Sequence, residues 1–315
     1  MFEQQEIESP TGAKLSLWMC PASGPAKGVI QICHGMGENA KRYARFADAM
    51  AEAGYAVFAE DHRGHGATVA PDAPPGFFAE ADGWNQVLAD KAFVNRHIHD
   101  LYPELPVIML GHSLGCTLAF SYALCFADSI NAVAVWNATT NSNALHAVLK
   151  FILFVERLLR GRKAVSIVNA LTFVQWGKAI KPRRTDFDWL SHDETEVDKY
   201  IADPLCGWPA PNSLWGDVSD GMTDCADGRK LDALPRDLPF NLLGGDQDPA
   251  TEGGKAVLDL DQRLKSKGFS NVITQIMTNT RHETLNEVDR AQTTKDFIAW
   301  ADQIVESART SSGGL

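Results

Sequence analysis

The chain has 315 residues, 45% of them hydrophobic, and a formal net charge of −11. This length and composition suit a globular protein able to bury a full core. The acidic balance repels nucleic acid at long range, so nucleic acid is not an expected partner.

The first residues, Met1-Phe2-Glu3-Gln4-Gln5-Glu6, lack the basic start and apolar run of a secretory signal. A cytoplasmic location is the expectation. No window reaches the roughly 18 apolar residues of a membrane span, so no stable membrane insertion is expected. The cysteines at 20, 33, 116, 125, 206 and 225 show no paired spacing and are expected to be reduced thiols.

In chain order, Ile7 to Pro10 and Lys14 to Trp18 flank Thr11-Gly12 and predict an opening hairpin. Short branched and aromatic runs follow at 28–33, 56–60, 106–110, 130–136, 240–243 and 272–277, as buried strands require. Helical patterns alternate with them at 40–53, 84–101, 114–127, 254–267 and 290–307. Asp82 and Asp289 are candidate caps, and Gly54 and Gly268 stand where helix C-termini favour glycine. Such alternation predicts a mostly parallel sheet with helices on both faces.

The alternation breaks between 141 and 235, a span too long for a loop. It predicts a helical cap inserted between a first core segment, 1–140, and a second, 236–308. The end, 309–315, reads as a disordered tail. Leu145, Val148, Leu149, Ile152, Val155 and Leu159 form an apolar stripe at helical spacing, widened by Phe151, Leu153, Phe154 and Leu158. That helix is expected to line an acyl pocket, touch a lipid surface transiently, or pack against the core. Phe173, Trp176, Phe187, Trp189, Trp208 and Trp215 supply further aromatic wall, beside a basic patch of Arg160, Arg162 and Lys163.

Residues 106–115 read as a strand, then Gly111-His112-Ser113-Leu114-Gly115, then a helix. In this setting GxSxG is a nucleophile elbow, its flanking glycines making room for a cramped turn. The following helix aims its N-terminal dipole at a developing oxyanion. A second strand ends in His34-Gly35-Met36-Gly37-Glu38, whose glycines let backbone N–H groups approach a ligand. The amides of Met36 and Leu114 are the candidate oxyanion donors.

A serine nucleophile needs a base, and the base an orienting carboxylate, in the order Ser, Asp, His for this elbow. Asp246 and Asp248 compete for the acid. Asp248 is favoured because Pro249 biases it to an extended backbone. His282, after the last strand, is the one histidine beyond both and is the candidate base.

His34-Gly-Met-Gly-Glu38, Arg42-Tyr43, Asp61-His-Arg-Gly-His-Gly66, Gly111-His-Ser-Leu-Gly115, Gly245-Asp-Gln-Asp-Pro249 and Arg281-His-Glu283 together resemble the bacterial lysophospholipase and monoacylglycerol lipase group, serine aminopeptidase-like hydrolases. The resemblance implies the α/β-hydrolase fold, an eight-stranded sheet with the cap after the sixth strand. It implies a triad of Ser113, Asp248 and His282, with no cofactor. It also implies that the 61–65 loop shapes the pocket floor and braces the oxyanion turn, in preference to a metal site at Asp61, His62 and His65. Pocket candidates are His34, Gly35 and His112 from the turns, and Leu149, Ile152, Phe173 and Trp176 from the cap. The cap carries no recognisable substrate signature.

An apolar pocket with few polar anchors suits a neutral ester, such as a monoacylglycerol, as the small-molecule substrate. Lysophospholipid hydrolysis, thioester hydrolysis and aminopeptidase chemistry are alternatives on the same residues, as is a non-catalytic binding protein. An aminopeptidase would want a carboxylate anchor such as Asp186, Asp188 or Glu194. The sequence sets no oligomeric state.

Overall fold

The computed structural model describes residues 1–137 and 144–312. Eight strands form one sheet: β1 (Glu3–Glu8), β2 (Lys14–Cys20), β3 (Gly28–Cys33), β4 (Tyr55–Glu60), β5 (Val107–His112), β6 (Ala132–Trp136), β7 (Phe240–Gly245) and β8 (Val272–Met277). Their spatial order is β1-β2-β4-β3-β5-β6-β7-β8. β1 and β2 pair antiparallel, as does β2 with β4, and every pairing from β3 to β8 is parallel.

Side-chain alternation along the buried strands builds a core on each face. Val107 and Met109 of β5 point to one core, Ile108 and Leu110 to the other. The first core is covered by α2 (Gly83–Leu101) and α3 (Leu114–Phe126), and the second by α1 (Ala44–Glu52) and the C-terminal helix. The hairpin begins four positions earlier than Ile7, because Glu3 pairs with Met19. β1 is an exposed edge strand, Glu-Gln-Gln-Glu-Ile-Glu, with no apolar alternation to announce it. Gly54 and Gly268 take φ values of +89° and +84° at helix ends, as expected. Asp82 does not cap α2 with its side chain, which accepts instead from Asn85 Nδ2 at 2.7 Å.

Between β6 and β7 come α4 (Ala144–Arg160), α5 (Val168–Leu171), α6 (Phe173–Ala179), α7 (Glu194–Ala202), α8 (Asn212–Ala226) and α9 (Gly228–Ala233). Residue 141, where the insertion is expected to begin, lies outside the described residues. The insertion is not all cap. α8 lies along α2 and α3, and its Leu214, Trp215, Val218 and Cys225 join the first core. Gly221 permits this approach, since a Cβ there would meet the Trp84 ring at 2.2 Å.

α10 (Lys255–Ser266) follows β7, and α11 (Arg290–Ser312) closes the fold. The helix runs through 309–312, where a disordered tail is expected from the sequence. No glycine or proline interrupts it before Gly313, so propensity carries it on. The rest of that tail, 313–315, lies outside the described residues. Among the described residues, no helix is long and apolar enough to cross a membrane.

Candidate active site

Ser113 directly follows β5, Asp248 follows β7 and His282 follows β8, so all three stand at the carboxyl edge of the sheet. Ser113 adopts φ +56° and ψ −120°, a backbone conformation rare for a side-chain-bearing residue and the mark of a cramped turn. Its flanking glycines are sterically compelled. A Cβ on Gly111 would lie 2.1 Å from the Gly115 carbonyl oxygen, and one on Gly115 would lie 1.9 Å from that of Cys33.

His282 Nδ1 donates to Asp248 Oδ2 at 2.9 Å. The carboxylate is completely buried and also accepts from Asn137 Nδ2 and Thr251 Oγ1, both at 3.0 Å, and from the Ala250 amide at 2.9 Å. Burial pushes this carboxyl up, but the His282 ring and these donors outweigh it and hold it below the usual aspartate range. Asp246, the rival acid, is exposed, and its side chain accepts the Thr280 amide at 3.3 Å. The other ring nitrogen, His282 Nε2, is buried with no hydrogen-bond partner among the described residues.

Two contacts bring the remaining loops beside the serine. The His112 ring donates from Nε2 to the His282 carbonyl at 2.9 Å, one residue from Ser113. A Cβ on Gly35 would stand 3.3 Å from Ser113 Cβ. Met36 follows Gly35, and Leu114 opens α3, whose first amides have no carbonyl within the helix.

Beneath these loops sits a buried charge network. Glu38 accepts from the Gly35 amide at 2.5 Å, Tyr43 Oη at 3.0 Å and Arg42 at 2.6 Å, and its carboxylate stands 3.5 Å from His112 Nδ1. Arg42 also forks onto both Glu283 oxygens at 2.6 and 2.7 Å. Burial pushes Glu38 up, yet His112 and Arg42 hold it well below the usual glutamate range. Burial opposes a charge on His112, but Glu38 and the His282 carbonyl prevail and raise its pKa. His112 therefore couples the 34–38 loop to the 281–283 loop and is no simple pocket wall.

The sequence missed the supports supplied by Asn137, Thr251, Tyr200 and the segment 188–191. The His282 and Glu283 amides donate to the Trp189 and Leu190 carbonyls at 3.4 and 2.7 Å, and Arg281 Nη1 binds the Asp188 and Ser191 carbonyls at 2.7 and 3.0 Å. Tyr200 Oη and the Gly207 amide both donate to the Gly37 carbonyl at 2.9 Å. Only the Arg42–Glu38 pair had a readable signal, its i,i+4 spacing.

Of the pocket candidates, Trp176 lies near His282, with Phe173 packed behind it. The Trp176 ring is 6.4 Å from His282, and Trp189 lies closer at 4.9 Å. Phe173 packs on both tryptophans. His34 is a correction: it is fully buried and both ring nitrogens bond within the protein, so it backs the loop and offers no polar atom to a ligand. Leu149 and Ile152 are half-buried on α4, and Leu149 packs against the first core.

The α4 stripe is also rotated from its expected position. His146, Leu153 and Glu156 face inward, whereas Val148 and Leu159 are 52% and 79% exposed. Leu145 belongs to the expected stripe, but its side chain lies outside the described residues. Glu156 sets the rotation, since its carboxylate accepts from Ser166 Oγ at 2.6 Å, the Ile167 amide at 2.9 Å and Asn212 Nδ2 at 3.2 Å.

In the 61–65 loop, His65 Nδ1 donates to the Arg63 carbonyl at 3.1 Å and its Nε2 has no partner among the described residues. Asp61 accepts the Ala40 and Ala67 amides, and His62 binds Lys91 and the His34 carbonyl.

A sheet of this order, with an elbow after β5 and a His–Asp pair after β8 and β7, defines an α/β-hydrolase. A family model described as serine aminopeptidase, S33, matches residues 24–289. The chain belongs to that family. It is 28% identical to a monoglyceride lipase of Rattus norvegicus over 283 residues, covering 85% of this chain and 82% of the relative. A monoacylglycerol lipase of Mycolicibacterium smegmatis is 24% identical over 277 residues, covering 87% and 88%. The fold also matches a thermostable carboxyl esterase of Bacillus coagulans at a TM-score of 0.86, with 23% identity and coverage of 96% and 99%.

Proposed function

We propose that this chain is a carboxylic ester hydrolase that forms an acyl-enzyme on Ser113 and prefers neutral monoesters such as monoacylglycerols. The observation that carries the reading is the pairing of His282 Nδ1 with buried Asp248, which leaves Nε2 beside the elbow with no partner among the described residues. Asp248 holds the proton on Nδ1, so Nε2 is the basic nitrogen. His282 takes the Ser113 hydroxyl proton as the oxygen attacks the ester carbonyl. Met36 and Leu114 amides receive the oxyanion. The C–O bond breaks, and the alcohol leaves with the proton. Water then repeats the sequence on the acyl-enzyme, releasing the acid and restoring Ser113.

Neutral esters are favoured over amino-terminal peptide substrates because none of the three candidate anchors, Asp186, Asp188 and Glu194, is free. Asp188 is buried and already accepts from Thr185 Oγ1 and the Arg184 and Thr185 amides. Asp186 and Glu194 are exposed and pair with Arg183 and Arg184. The relatives named as lipases support the same choice. Exposed Val148, Phe151, Phe154, Leu158 and Leu159 support transient contact of α4 with a lipid surface. Six cysteines without paired spacing suit a reducing cytoplasm, and 141–235 is the proposed extent of the insertion.

p-Nitrophenyl esters from two to sixteen carbons, run against amino-acid p-nitroanilides, test the reading. Ester turnover with negligible anilide turnover is expected. Anilide turnover equal to or above that of the esters would overturn it.

A further inference from the structure

We propose that Lys91, fully buried on α2, is a positioning residue that acts through His62 and His34 to aim the Met36 N–H at the substrate oxyanion. The inference rests on the Met36 donor assigned above. Lys91 Nζ lies 2.7 Å from His62 Nδ1 and is paired with buried Glu60. An ammonium can only donate, so His62 Nδ1 must accept and the His62 proton must sit on Nε2. That Nε2–H donates to the His34 carbonyl at 2.8 Å.

The second ring follows by the same logic. The His62 amide donates to His34 Nε2 at 3.0 Å, which forces the His34 proton onto Nδ1. His34 Nδ1–H then donates to the Gly35 carbonyl at 2.8 Å. The two rings stack 3.7 Å apart at 13°, and burial keeps both pKa values well below the ordinary histidine value, so both are neutral.

The consequence lies in the peptide planes. In a trans peptide the C=O and N–H point in opposite directions. His62 holds the His34 carbonyl, Glu38 holds the Gly35 amide, and His34 holds the Gly35 carbonyl. With those groups pinned, the remaining one, Met36 N–H, is aimed away from the His34 ring. Lys91 terminates the chain of donors. Without it, His62 is free to carry its proton on Nδ1, and a bare Nε2 would then face the His34 carbonyl.

The test combines a native measurement with a variant. Nitrogen-15 NMR of the unmodified protein should find His62 protonated on Nε2 and His34 on Nδ1. Lys91→Met should lower kcat on a soluble ester about tenfold or more, since losing one oxyanion donor outright costs about 10²–10³. KM should change by less than about threefold, and affinity for an alkylboronic acid, whose adduct on Ser113 is tetrahedral, should fall with kcat. A folded Lys91→Met protein with kcat within about threefold of the parent, or with the loss confined to KM, overturns the proposal. Should that variant not fold, the native tautomers decide, and a His62 proton on Nδ1 overturns it. Ser113→Ala run alongside separates the cases, because activity surviving there removes the nucleophile reading itself.

Discussion

The insertion between β6 and β7 contains two regions that behave as opposites. The segment from Phe187 to Trp208 is bonded to the loops of the candidate site: Trp189 and Leu190 carbonyls to the His282 loop, Tyr200 and Gly207 to the Gly37 carbonyl, and Asn39 to Asp203 at 2.9 Å. Helix α4 turns Phe151, Phe154, Leu158 and Leu159 outward at 59% to 79% exposure, and holds on through Glu156 and Leu153. One region braces the candidate site, while the other is an apolar outer surface. The difference teaches that an inserted cap need not be uniform. Backbone hydrogen bonds across its base fix geometry, and exposed apolar side chains on its crest form the face proposed above for lipid.

The largest expected effect comes from the charge network under the fixed region. Arg42→Met leaves Glu38 and Glu283 buried without their cation and should cost about 3–5 kcal/mol in urea unfolding. A loss below about 1 kcal/mol would show that the network is slack. Next, Asp217→Asn probes where α8 meets α2. Burial pushes the Asp217 carboxyl up to about 7, and its Oδ2 has no partner among the described residues. The unfolded residue ionises near pH 4, so between about pH 4 and 7 the folded state keeps a proton the unfolded state has lost. Stability attributable to this group therefore falls as pH rises through that window. The variant should gain on the order of 1–3 kcal/mol over the parent at pH 8 and little at pH 4.

Tyr200→Phe removes one of the donors on the Gly37 carbonyl and should destabilise by about 1 kcal/mol, with a measurable fall in kcat. Changing Val148, Phe151 and Leu158 together to serine should move stability by no more than about 0.5 kcal/mol per site. Soluble-ester turnover should stay intact and activity on lipid vesicles should drop. If turnover of soluble esters fell with Phe151 and not with Tyr200, the assignment of the two regions would be reversed.

The sheet was legible because buried strands carry continuous apolar runs, and the elbow because Gly111 and Gly115 are demanded by backbone contacts 2.1 and 1.9 Å from any added Cβ. The extended backbone expected of Asp248 before Pro249 is the φ of −79° and ψ of 109° that it adopts. β1 was invisible beyond Ile7, since an edge strand needs no apolar face. The inward face of α4 was hidden from the apolar pattern because a satisfied carboxylate, Glu156, occupies it, and periodicity scores only apolar positions. Asn137 and Tyr200 escaped notice because their roles depend on loops far away in the chain, and no local pattern encodes that proximity.

The central claim, that Ser113 is activated by His282, is tested most directly by fluorophosphonate labelling followed by peptide mass spectrometry. The account predicts one adduct, on the peptide carrying Ser113, and almost no labelling in a folded His282→Ala protein. An adduct on a different serine, or undiminished labelling of Ser113 without the imidazole, would contradict it.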